Sequence, residues 1–331
     1  MEELDGIYSQ VSVLLSELKA GKLLESLPDM LLAIRQSVNY GSKTPMPPLL
    51  SEYESLDQMA AYQDLWAKEE KGEIAPKKMD DDDLRRFLFL LSATDSTIRD
   101  TGAFFFLGNA ISNHHLDAEQ LKRVTSEIVD DSRMLSHVLE EKNDGAFYRS
   151  YCLALLAILI NENENGPIEF IDATMKDYIV QKLAVLMLAE KDTRGYTEDN
   201  GWVHFYSHLA NVLGALFEDP KLARADKLFL LACLMTNLRT LDTPLTMGEM
   251  GRLVGTILSL ASRHALYADY LLLTLKLWRQ DLGNEPFIQS RSRWQKLYNR
   301  VDFFQQILAF GEKASPKEVW EYAQATKNYL S

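Results

Sequence analysis

Apolar positions recur at helical spacing along almost the whole chain. FFFLGNAI follows TIRDTGA at 97–103, LALLAILI follows FYRSYC at 147–152, and LANVLGALF follows WVHFYSH at 202–208. In each, apolar residues fall at i, i+3, i+4 and i+7 behind a polar first turn, the stripe of an amphipathic helix. No run alternates with the period of two that a half-buried strand requires. Asn143-Asp144-Gly145, Asn165-Gly166-Pro167, Asp199-Asn200-Gly201, Asp219-Pro220 and Asp242-Thr243-Pro244 break the helices apart. The pattern predicts an all-α chain.

The spacing carries a second message. Apolar helices start at Arg99, at Arg149, at Trp202 to His204 and at Arg252, intervals of about fifty residues, with further helices over 116–130, 168–190 and 221–238 between them. One helix pair per interval predicts an α-solenoid of the HEAT or armadillo kind over residues 80–331. Residues 1–79 differ, with helices predicted at 7–19, 24–37 and 54–69 and non-helical connectors at 40–48 and 67–83. Leu14, Leu15, Leu18, Leu31, Leu32 and Ile34 need a surface to bury against, so this segment is expected to be a helical cap on the repeats.

Charge narrows the partners. Lys and Arg number 35 against 48 Asp and Glu, a net charge of −13 that disfavours nucleic acid and anionic membranes. Cys152 and Cys233, each inside an apolar run, read as buried free thiols of a reducing compartment. The start MEELDGIYSQ is acidic where a signal peptide is basic, and no apolar run reaches the ~20 residues of a membrane span. A cytoplasmic protein is expected, with a small molecule or another protein as partner.

Several motifs reduce to structure. Asp80 to Asp83 lacks the alternating ligands, central Gly and late Glu of a calcium loop, and its charge suits the start of the helix LRRFLFLL. RSRWQKLYNR at 291–300 puts Arg293, Lys296 and Arg300 on one helical face, which reads as a solvated basic face. No nucleophile elbow and no glycine-rich phosphate loop occurs. His114, His115, His137 and His264 lie near predicted helix ends and suit surface or capping roles.

EKDTRGYTEDNGWVHFYSH at 190–208 is different. His204 and His208 stand i, i+4, which on a helix projects both from one face, the geometry that zinc enzymes use. Glu190, Asp192, Glu198 and Asp199 precede them as a source of carboxylate. A structural reading is also coherent, with Asp192 capping the turn, Arg194 paired to an acid, Gly195 allowing a positive φ and Trp202 in the core.

The stretch LAEKDTRGYTEDNGWVHFYSHLANVL resembles an uncharacterised bacterial family, domain-of-unknown-function family 2785, with its E-x-D-x-R-G and G-W-x-H-x-x-x-H signature. IRDTGAFFFL and FYRSYCLALLA are similar to the family's Arg-Asp and Arg-Ser helix starts, so the resemblance covers about residues 84–282. It implies family positions at Glu190, Asp192, Arg194, Gly195, Gly201, Trp202, His204 and His208. At Asn211 the sequence departs from the family's usual Asp, and an amide is a poorer ligand for a hard or borderline cation. The family brings no established activity.

These readings converge on a polar pocket at the aligned helix starts, binding a small anionic or metal-linked ligand. Its ligand-binding candidates are Arg99, Asp100, Arg149, Glu190, Arg194 and Trp202. His204, His208 and Asp192 are the catalytic candidates, the two histidines are the candidate ligands of a divalent metal such as zinc, and metal-assisted hydrolysis is the reaction class. The rival expectation is a non-catalytic scaffold whose concave surface binds a protein partner, with 190–208 as a structural network.

Overall fold

The computed structural model, which describes residues 2–49, 52–284 and 289–326, is a succession of helices joined by short turns. In chain order they are α1 (Glu2–Lys19), α2 (Leu27–Ser37), α3 (Glu52–Glu70), α4 (Asp81–Phe89), α5 (Phe105–Ser112), α6 (Ala118–Ile128), α7 (Asp131–Met134), α8 (Gly145–Asn165), α9 (Ala173–Ala189), α10 (Phe205–Glu218), α11 (Arg224–Thr240), α12 (Glu249–Ala261), α13 (Ala265–Asn284), α14 (Arg291–Phe310) and α15 (Lys317–Thr326). The chain is therefore all-α in class. A departure from the expected pattern is a hairpin of two-residue strands, β1 (Tyr196–Thr197) and β2 (Gly201–Trp202). Strands this short hold too few residues to register as alternation. Among the described residues no helix is long and apolar enough to cross a membrane.

Two compact units divide the chain. The first comprises Met1–Tyr40, Val180–Gly195 and Leu216–Ser331; the second comprises Gly41–Ile179 and Tyr196–Ala215. Residues 1–79 thus contribute to both.

In the first unit the core is the second half of α9 and the middle of α11. Leu183 to Ala189 and Phe229 to Met235 are wholly buried, as expected of helices apolar on every side. Helices α1 and α2 pack on α11, which buries Leu14, Leu15, Leu18, Leu31 and Ile34. The end of α9 has last-turn carbonyls with no partner inside the helix, and three side chains supply donors. Arg35 Nη1 donates to Met187 O at 3.2 Å and Leu188 O at 2.8 Å. Tyr40 Oη donates to Ala189 O at 2.6 Å, and Asn237 Nδ2 to Met187 O at 2.6 Å and Glu190 O at 3.0 Å. Further along, α12 packs on α13 and α14, and α15 closes on α13 and α14. Arg300 of α14 departs from the solvated basic face read from its sequence. It is buried, its guanidinium lies 4.2 Å over the Phe304 ring, and burial pulls its pKa down.

In the second unit α8 is the centre, with α5, α6, α7 and a 3₁₀ turn at Leu90–Ser92 packed around it. Helix α4 begins as its aspartates suggest: the Asp80 side chain accepts from Asp82 N at 2.8 Å and Asp83 N at 3.4 Å. Residues Thr97–Phe104 form a π-helical segment that runs directly into α5. Gly102 within it admits Leu56 of α3, whose Cδ2 would stand 2.8 Å from an added Cβ.

Both cysteines are free and buried, and burial pushes the Cys152 thiol up to about 12 and raises the Cys233 thiol as well. Replacing Asp80 removes the cap that starts α4. Asp80→Ala is expected to lower the unfolding free energy by about 1 kcal/mol, read from the midpoint shift in urea.

Candidate functional site

The two halves of the signature belong to different units, E-x-D-x-R-G to the first and G-W-x-H-x-x-x-H to the second.

In the second unit the organising residue is Arg99, fully buried on the π-helical segment. Its Nε pairs with Asp100 Oδ1 at 2.8 Å. Its Nη1 donates to Ala93 O at 2.8 Å and Thr94 O at 2.9 Å. Its Nη2 donates to Asn200 O at 3.0 Å and Trp202 O at 3.3 Å, carbonyls of the hairpin. The guanidinium plane lies 4.3 Å from the Phe147 ring centre and 4.9 Å from that of Tyr151. The four Nη–H donors therefore go to backbone carbonyls, whereas Nε meets Asp100 as an ion pair without the geometry of a hydrogen bond.

The hairpin is shaped to meet that cation. Tyr196 pairs with Trp202 and Thr197 with Gly201, and the two aromatic rings meet edge to face at 5.1 Å. Gly201 sits at φ 71°, and an added Cβ would stand 3.2 Å from the Cβ of Ser96. A left-handed glycine at this point suits a hairpin with a three-residue loop.

Helix α10 begins at Phe205, so Trp202 and His204 lie before it rather than on it, contrary to the helix start read from the sequence. His204 adopts φ 57°, its carbonyl accepts from His208 N at 3.0 Å, and its ring stacks on Trp202 at 4.2 Å and 4°. The His204 and His208 ring centres are 5.5 Å apart. His208 Nδ1 lies 3.0 Å from Ser150 O and 2.9 Å from Ser150 Oγ. A carbonyl only accepts, so Nδ1 carries a proton and the lone pair of the neutral ring is on Nε2. Ser150 is wholly buried in α8, where its hydroxyl anchors the ring and has no access for a substrate. Tyr151 and Phe104 flank His208 at 5.2 and 6.4 Å. The Tyr151 phenol, raised by burial and by its hydrogen bond with the Asp100 carboxylate, stays protonated throughout the neutral range. Arg149 is buried on α8 and its Nη1 donates to Ser136 O at 2.6 Å, tying the turn after α7 to the helix.

In the first unit the chain after α9 is a sequence of side-chain-capped turns. Buried Glu190 accepts from Lys191 N at 2.9 Å and Asp192 N at 2.8 Å through Oε1. Asp192 accepts from Arg194 N at 3.0 Å and forms a two-pronged pair with the Arg194 guanidinium, Nε to Oδ2 at 2.9 Å and Nη2 to Oδ2 at 2.6 Å. Gly195 passes so close to the next segment that an added Cβ would stand 2.5 Å from Met247 Cγ and 2.8 Å from Glu249 Oε1. Glu249 is buried and accepts from Met247 N at 2.7 Å.

Within the second unit the structure brings together Arg99, Asp100, Trp202, His204 and His208; within the first it brings together Glu190, Asp192 and Arg194. Among the described residues no group of three or more His, Cys, Asp or Glu side chains is placed to hold a metal ion. Sequence reasoning overlooked Tyr151, Arg35, Asn237 and Glu249. Arg35 and Asn237 did leave a signal, polar residues that close or interrupt the apolar runs LLAIRQS and LMTNLRT.

Comparison with known proteins places the chain by family alone. A family profile described as a protein of unknown function (DUF2785) matches residues 134–309, more than half of the 331 residues. The match starts later and ends later than the span over which the sequence resembles that family, and it includes 190–208 while Arg99 and Asp100 precede it. No curated protein and no solved structure matches.

Two substitutions probe the geometry. Arg99→Gln removes the charge beside Asp100 and leaves backbone carbonyls without their donors. It is expected to cost about 3–5 kcal/mol in denaturant unfolding, the range for breaking a buried charged pair. Gly195→Ala drives a methyl into Met247 and Glu249 and is expected to cost about 1–3 kcal/mol by the same measurement.

Proposed function

The chain belongs to the DUF2785 family of proteins of unknown function, and from that premise we propose that it acts by binding a protein partner. In this reading it is a non-catalytic scaffold of HEAT-like helix pairs, and residues 190–208 are a structural network. The observation that carries the reading is the engagement of the Arg99 guanidinium on all its edges, by Asp100 and by four backbone carbonyls. With its four Nη–H donors given to backbone and the whole side chain buried, this guanidinium presents none of the four to a substrate oxygen. Arg194 supports the same reading through its pair with Asp192. The HEAT-like assignment rests on the recurrence of helix starts near 97, 145, 205 and 249, with α6, α9 and α11 between them. Two reduced, buried thiols support a cytoplasmic location.

One observation favours a second reading, a small anionic or metal-linked ligand acted on by metal-assisted hydrolysis. Two half-buried imidazoles stand with their ring centres 5.5 Å apart, and one of them is held in a single tautomer by Ser150. A fixed ring presenting Nε2 is how proteins prepare a histidine for a metal or a proton.

The two readings separate by experiment. The scaffold reading expects His204→Ala and His208→Ala each to lower the melting temperature by several degrees, because stacking on Trp202 and the bond to Ser150 are lost. Variants that melt like the wild type overturn it. The ligand reading expects stoichiometric metal in untagged protein, or a melting temperature raised by zinc, manganese or nickel and unaffected by them in the two variants. Elemental analysis without metal and no shift with any of the three overturns it.

A further inference from the structure

The second unit contains a cleft of about 570 Å³ whose walls are the outer face of α6 and the first turns of α9 with the residues just before it. That volume lies within the ~300–1,000 Å³ typical of small-molecule sites. Its apolar lining is Phe170, Met175 and Tyr178. Phe170 is buried and held from beneath, since its N–H donates to Asn163 Oδ1 at 2.7 Å, whereas Tyr178 is 40% exposed. An apolar floor and an open aromatic edge suit a branched or aromatic side chain.

Charge on the rim is balanced. Glu119, Lys122 and Arg123 share one face of α6 at i, i+3 and i+4, and Asp172 stands across from them at the start of α9. Arg123 is committed to Asp81 at 2.6 Å. Lys122 reaches Glu119 only at 3.4 Å, with both side chains more than half exposed, a pair readily exchanged for a better partner. Asp172 caps α9 with one oxygen, Oδ1 accepting from Met175 N at 2.8 Å, and a carboxylate has a second oxygen to offer a donor. A purely anionic ligand would meet Glu119 and Asp172, and a purely cationic one Lys122 and Arg123. A molecule carrying both an ammonium and a carboxylate satisfies both.

We propose that this cleft is a binding site for short peptides with free termini and a large apolar side chain, the carboxylate directed to Lys122, the ammonium to Asp172 or Glu119, and the side chain resting on Phe170, Met175 and Tyr178. The site is independent of the histidine pair and of the partner-binding reading.

The test is isothermal titration of the full chain with the dipeptide Leu-Phe, beside the same dipeptide acetylated and amidated at its ends. Saturable binding is expected for the free dipeptide, and binding at least about tenfold weaker for the blocked one. Lys122→Ala and Tyr178→Ala alter exposed side chains, so both should fold as the wild type by circular dichroism and melting temperature while weakening the dipeptide at least about threefold each. Absence of saturable heat up to about 10 mM overturns the proposal. So does equal affinity for the blocked dipeptide, or affinity untouched in both variants, which would put the peptide elsewhere. His208→Ala should leave the titration unchanged, so a failure here is distinct from a failure of the histidine site.

Discussion

A guanidinium cannot shed its charge, and burying one obliges the surrounding chain to bring it acceptors. Arg99 imposes that demand on the second unit. Its partners come from three separate stretches: carbonyls of the turn at Ala93 and Thr94, the counter-charge of the neighbouring Asp100, and the hairpin carbonyls of Asn200 and Trp202. The two aromatic rings against the same guanidinium are Phe147 and Tyr151 of α8. One cation thus brings the turn, the π-helical segment, the central helix and a hairpin a hundred residues downstream to a common point.

The chain beyond the hairpin depends on that arrangement. Trp202 is held by its carbonyl, and two residues on, immediately before α10, His204 takes the left-handed conformation. Its ring then covers Trp202 and comes near His208, which Ser150 holds in turn. The first unit reaches a similar end by the same physics. There Arg35, Tyr40 and Asn237 donate to the last carbonyls of α9, and Glu190 and Asp192 accept from the amides beyond it. In both units polar side chains bond to backbone near helix ends, Arg99, Glu190 and Asp192 among them.

The sequence made the helices legible because their apolar stripes repeat over many turns. The helices read at 7–19, 24–37 and 54–69 correspond to α1, α2 and α3, and Asp80 caps α4 as its position before LRRFLFLL suggests. Its limits have equally physical reasons. The hairpin at 196–202 is held by a distant arginine and not by its own pattern, so nothing local announces it. His204 reads as helical because a spacing of four cannot distinguish a residue in the first turn from one just before it. Arg300 reads as exposed because its neighbours are basic, yet its face packs on Phe304. The grouping of 1–40 with residues beyond 180 is a matter of tertiary packing, which no local window contains.

The π-helical segment at Thr97–Phe104 bears on how this chain tolerates change in length. A π turn holds one residue more than an α turn, so it is an insertion accommodated without a loop. Surface loops absorb added or lost residues by bulging, but here a single deletion would restore α geometry and rotate everything before it by about 100° relative to α5. Arg99 would swing away from the carbonyls that await it, and Gly102 from the slot that admits Leu56. Within a chain of otherwise forgiving connections, these eight residues are a counted span, where length is constrained as tightly as identity.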